Sequence, residues 1–143
     1  MADPAIPFDP ANPAAVPTIL VVEDDVLVRL VIAEYLRDCG YKVWEASNVA
    51  EARSVLAADS PVELVFSDVQ MPGNENGFDL AKWIRQHRPG IKVVLTSGLA
   101  GAAGNARDVC EDGPLIAKPY EHSAVLHRIQ ELLAKRAGGS DKV

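Results

Sequence analysis

The chain of 143 residues has room for one domain with a substantial core and is short for two. Its 48% hydrophobic content fits an ordinary globular protein, while a formal net charge of -6 and a pI near 5.0 argue against a broad basic surface and so against direct nucleic-acid binding. No apolar run reaches the roughly 20 residues of a membrane span, the N-terminus lacks the pattern of a secretory signal, and Cys39 and Cys110 stand far apart without metal-ligand spacing. A cytoplasmic protein with neither a disulfide framework nor a zinc site is expected.

In chain order, residues 1–17 ("MADPAIPFDPANPAAVP") hold five prolines and no periodic pattern, and read as a flexible leader. Short β-branched runs then alternate with longer amphipathic ones, as βα units do around a parallel sheet. Thr18 to Val22 is a first strand. Asp25 to Cys39 is a first helix, closed by Gly40. Tyr41 to Ala46 is a second strand, and Asn48 with Glu51 forms a capping box that opens a second helix. The uninterrupted apolar run from Val62 to Ser67 predicts a third strand buried on both faces. Gly77 to His87 is a third helix, stopped by Pro89 and Gly90; Ile91 to Leu95 is a fourth strand. Gly98, Gly101 and Gly104 each weaken the helix expected in the following stretch by about 1 kcal/mol relative to Ala. Leu115 to Ala117 is a short fifth strand. Glu121 to Arg136 is a last helix with Val125, Ile129, Leu132 and Leu133 on one face, and residues 137–143 read as a frayed tail. Five such units predict an open, doubly wound α/β sheet, with ligands bound outside the carboxyl ends of the strands.

That rule gathers a specific set of residues. Strand one is followed by Glu23, Asp24 and Asp25, strand three by Asp68, strand four by Thr96 and Ser97, and strand five by Lys118. Carboxylates crowded on one rim repel one another unless a cation joins them. Oxygen ligands suit a hard divalent ion, and Mg²⁺ accepts one or two carboxylates while leaving positions for a phosphate. An aspartate there becomes a useful nucleophile towards phosphorus once cations neutralise the oxygens being attacked. Lys118 can supply an ammonium and Thr96 a hydroxyl for the same group.

The stretches "ILVVEDD", "FSDVQMPG", "VVLTSG" and "AKPY", in that order and at these intervals, resemble the receiver domain of two-component response regulators over residues 18–136. The resemblance implies a flavodoxin-like (βα)5 sheet of five parallel strands in the order 2-1-3-4-5 with helices on both faces. It implies that Asp68 accepts a phosphoryl group from a sensor histidine kinase or a histidine phosphotransfer protein. Asp24 and Asp68 would bind Mg²⁺ directly, Glu23 largely through water, and the backbone carbonyl of Gln70 would add a ligand; Thr96 and Lys118 would take the phosphate oxygens. The output implied is a switch in protein–protein contacts on the face of the fourth helix, fifth strand and fifth helix, by a self-phosphorylating and self-dephosphorylating acceptor and not a metabolic enzyme. No nucleic acid or membrane partner is implied, and a homodimer stays open. Similar proteins carry a cis bond at the position of Lys118-Pro119.

Departures from the pattern are specific. Leu115 stands where the family often has a switching aromatic, with Tyr120 nearby as a substitute or as a packing residue. The loop "MPGNENGFD" is one residue longer than the common form, with Asn76 in place of an aspartate. Gln70 and Gly98 flank the route of a hydrolytic water and are expected to set the lifetime of the phosphorylated form. His87, His122 and His127 read as surface residues, Trp44 and Trp83 as packing or interface residues, and Arg29 and Arg37 as a solvated or docking face. Two alternatives remain: a Mg²⁺-dependent phosphatase with an aspartyl nucleophile, which would normally carry a second acid where Gln70 stands, and a pseudo-receiver that only binds. A flavin-binding protein of similar topology is disfavoured by the acidic loop after strand one.

Overall fold

The computed structural model describes residues 16–58, 60–97 and 116–139, with side chains as far as residue 134. β1 (Thr18–Val22) leads into α1 (Val26–Asp38), β2 (Lys42–Ala46), α2 (Val49–Ala57), β3 (Val62–Asp68), α3 (Gly77–His87), β4 (Lys92–Ser97), β5 (Ile116–Ala117) and a C-terminal helix (His122–Gly139). The strands pair in parallel, in the order β2-β1-β3-β4-β5. The expected sheet order is therefore the observed one. The helix expected after Gly98, and Leu115 and Cys110 with it, lie outside the described residues.

Strand alternation divides the core between the two faces of the sheet. Leu20, Val22 and Val65 pack with Ala52 and Leu56 of α2 and with Leu80 and Ile84 of α3. Ile19, Val21, Leu64 and Phe66 point the other way, against Ile32 and Leu36 of α1 and Val125, Ile129 and Leu132 of the C-terminal helix. β3, at the centre, is buried from Leu64 to Asp68, so its apolar run reflects helices on both sides. A register shift against β1 between Thr18 and Ile19 leaves Glu63 as an extra residue, and Val62 accordingly joins the α2 and α3 side.

Local signals explain the helix ends. The Asp25 carboxylate accepts from the Val28 amide at 3.1 Å, an N-cap worth about 1 kcal/mol. At the other end Gly40 takes φ +103°, its amide donates to the Arg37 carbonyl at 2.9 Å and the Tyr41 amide to the Leu36 carbonyl at 3.2 Å. These two bonds make a Schellman motif, which needs a left-handed residue and so a glycine. It also explains why β2 begins at Lys42 and not at Tyr41. Asn48 caps α2 through the Glu51 amide, but the Glu51 carboxylate reaches back to Ser47 and not to Asn48, so the expected box is only half formed there. The complete box lies at α3, between Asn76 and Asp79. The C-terminal helix extends three residues beyond the expected Arg136.

Candidate functional site

Because all five strands run the same way, their carboxyl ends form one rim. There Glu23, Asp24 and Asp68 bring carboxylate oxygens within 4.8 Å of one another. Asp24 is exposed, whereas Glu23 and Asp68 are each only 5% exposed. Glu23 is fixed from both sides: its amide donates to the Ala46 carbonyl at 3.0 Å, and its Oε2 accepts from the Asp25 amide at 3.1 Å. Lys118, just beyond β5, sets its Nζ 3.1 Å from Asp68 Oδ2 and 3.6 Å from Glu23 Oε1. Thr96 is the β4 partner of Asp68 in register, and it is 1% exposed.

The electrostatics follow from burial and crowding. Burial pushes the Glu23 carboxyl above its ordinary value, opposed by the Asp25 amide and reinforced by the charge of Asp68. Burial alone would lower the Lys118 ammonium; the hydrogen bond and charge of Asp68, with the charge of Glu23, outweigh it and hold the group up. The Tyr120 hydroxyl is raised, first by burial and then by Glu23. One ammonium thus answers two acids, with the exposed Asp24 beside them. Asp68 Oδ1 is buried with no hydrogen-bond partner, which is costly for a charged oxygen. An all-oxygen cluster with an orphaned buried acceptor is what a hard divalent cation would complete, so the residues fit such an ion.

Two contacts at the rim are not evident from the sequence. Gly77 opens α3 directly against the backbone of Asp68: a Cβ built there would lie 2.5 Å from the Asp68 carbonyl oxygen and 2.8 Å from Val69 Cα. Only a residue without a side chain lets α3 start so close, and "NGFD" gives no local hint of that demand beyond the glycine itself. Ser97 follows Thr96 at the end of β4, where its hydroxyl meets the side chain of Gln70 and its carbonyl accepts the Lys118 amide at 3.0 Å.

Other expected residues are placed as follows. The Lys118-Pro119 bond is cis. The Tyr120 ring stands edge-on to Phe66, with centroids 5.8 Å apart, a packing role at the start of the C-terminal helix. Arg29 and Arg37 do not form a solvated face: Arg29 pairs with Glu45 and donates to the Glu23 carbonyl, and Arg37 joins Glu34, Glu45 and the Val43 carbonyl. His87 stacks on Trp83 and His127 lies 3.4 Å from Glu131, so neither reaches the rim. Cys39 is buried and in no disulfide among the described residues, and Gly98 lies outside them.

Residues 19–130 match the family described as the response regulator receiver domain. The chain belongs to that family. This receiver domain is 31% identical over 123 residues to the transcriptional regulatory protein GltR of Pseudomonas aeruginosa, covering 82% of this chain and 49% of GltR. It spans about half or less of the length of the first curated relatives it matches. Among solved structures, a CheY-like receiver domain from Methanospirillum hungatei superposes with a TM-score of 0.80 at 24% identity, over 87% of this chain and 99% of that one. Response regulator TrrA of Thermotoga maritima, solved in complex with Mg²⁺-BeF, gives 0.74 at 24% identity, over 82% and 99%. The fold is the CheY-like, flavodoxin-like arrangement expected, and residues 19–130 form a receiver domain of the two-component response-regulator family. No helix of the described residues is long and apolar enough to cross a membrane.

Proposed function

We propose that this receiver accepts a phosphoryl group on Asp68 from a phosphohistidine of a sensor histidine kinase or phosphotransfer protein, and thereby changes its contacts with a downstream protein. The observation that carries the reading is the state of the Asp68 carboxylate, nearly buried at a strand end, with one oxygen on Lys118 and the other without a hydrogen-bond partner beside two further acids. In the transfer a carboxylate oxygen of Asp68 forms the new P–O bond while the P–N bond to imidazole breaks, and the imidazole nitrogen keeps the electron pair. Asp68 thus becomes an acyl phosphate. Lys118, already held against Asp68 by charge, balances the phosphoryl oxygens, and the Thr96 hydroxyl donates to one of them.

Asp24, Asp68 and the Gln70 carbonyl would hold Mg²⁺, with Glu23 acting largely through water. When bound, the ion neutralises phosphoryl charge that three carboxylates would otherwise repel. The aspartyl phosphatase reading loses support at Gln70, whose amide is engaged with Ser97 where a second acid would be needed.

A groove of ≈ 550 Å³ lined by Leu27, Val28, Val31, Lys118, Pro119, Tyr120 and His122 runs from the site along α1. Its apolar wall, with Leu27 at 74% exposed, suits seating of the donor protein beside Asp68. The test is intact mass after incubation with Mg²⁺ and a small phosphodonor. One added phosphoryl group is expected in the natural chain and none in Asp68→Asn; an unmodified natural chain, or a modified variant, sinks the reading.

A further inference from the structure

The Gln70 amide and the Ser97 hydroxyl form a reciprocal pair: Gln70 Nε2 donates to Ser97 Oγ at 2.9 Å, and Ser97 Oγ donates to Gln70 Oε1 at 3.1 Å. Such a two-point contact uses one amide N–H, the amide oxygen and the hydroxyl proton together, so it fixes the orientation of the amide as well as its distance. Ser97 is 2% exposed and ends β4, where it pairs with Ala117 of β5 and stands next to Thr96, itself opposite Asp68. Its carbonyl accepts the backbone amide of Lys118 at 3.0 Å. One small side chain therefore joins the turn after Asp68 to the strand end that carries Thr96 and to the residue that pairs with Asp68. The Val69 backbone is tied to Thr96 of β4 and to Gly77 of α3 at 2.9 Å each, while Gln70, one residue further past the end of β3, is tied to β4 through its side chain. Immobilising that rotamer-rich chain adds a second restraint on the backbone that bears it.

We infer that Ser97 is a positioning residue of the cation and phosphoryl site, acting through the Gln70 side chain to fix the Gln70 main chain against Asp68. This rests on the proposed cation site, in which the Gln70 carbonyl is a ligand. A loosened ligand lowers affinity because its ordering must then be completed on binding.

The test uses the full chain without phosphodonor, titrating Mg²⁺ and following amide chemical shifts, alongside thermal unfolding in the absence of Mg²⁺. Ser97→Ala and Gln70→Met, which keeps the side-chain length but loses both hydrogen bonds, are each expected to weaken Mg²⁺ binding by about tenfold. The double variant is expected to lose no more than either alone, because both break one contact. Thermal midpoints within a few degrees of the natural chain separate positioning from general destabilisation. Unchanged Mg²⁺ affinity in Ser97→Ala overturns the inference, as does a loss in Ser97→Ala that Gln70→Met does not share. Failure of the natural chain to bind Mg²⁺ overturns the cation reading and this inference with it, which distinguishes the two.

Discussion

Two carboxylates and an ammonium, all largely removed from water, must answer one another's charge, and at this rim they do so incompletely: Lys118 is shared between Glu23 and Asp68, and Asp24 is left to solvent. The excess of negative charge is what a cation would relieve. How the acids come to be so close is decided at single residues. Gly77 sets the distance between α3 and Asp68, since its Cα already lies where a methyl group would strike backbone atoms that cannot swing aside. Gly77→Ala is expected to cost about 1–3 kcal/mol in urea unfolding through overpacking, and to slow phosphorylation from a small donor by displacing Asp68. A variant as stable and as reactive as the natural chain would show that α3 can retreat without consequence. Gly77, and the Gln70 partner of Ser97, were not legible because they depend on what stands opposite in space. The placement of Glu23, Asp24, Asp68, Thr96, Ser97 and Lys118 on one rim was, because strand ends in a parallel sheet converge and a strand end can be read from a hydrophobic run.

At the scale of elements the same division holds. β1, α3 and the order of the sheet were readable from runs and caps, while β4 starts one residue later and ends two residues later than expected, because Thr96 and Ser97 go on to pair with β5. The stretch "VLVRLVIAEYL" hid its orientation. It is apolar nearly all round, so periodicity could not show that Ile32, Ala33 and Leu36 face the sheet while Val26, Leu27, Leu30 and Val31 stay outside. Along α1 the apolar strip continues past Val31 and His122 to Glu34 and Asp38, giving an acidic border. Leu27→Glu is expected to leave urea stability unchanged, since the side chain is already in water, and to leave phosphorylation from a small donor within about twofold. Transfer from a phosphorylated histidine protein should fall roughly tenfold or more, as for loss of a central anchor. Equal loss with both donors would place the defect in the chemistry and remove α1 as the docking wall.

For the molecule as a whole, one sheet separates two apolar clusters, so β1 to β4 each contribute to both sides of the core and global stability reports on either. Tyr41 belongs to the cluster on the α1 side and is 4% exposed; burial, with Cys39 beside it, pushes its hydroxyl from 10.0 up to about 12. A raised acid contributes stability that is fully present below the unfolded value and lost as pH climbs to the folded one. Urea midpoints should therefore decline between about pH 10 and 12, by up to about 2 kcal/mol in free energy. Tyr41→Phe should flatten that part of the curve; an unaltered decline would assign it to other groups. Long-range consequences also follow from Arg29, whose guanidinium holds Glu45 through Nε and the carbonyl of Glu23 through Nη1. It acts as a tie-rod between the helix that would receive a visiting protein and the loop that presents the acids. If α1 is the docking wall, partner choice and reactivity share a fastening, and neither could be retuned at that position while the other stands still.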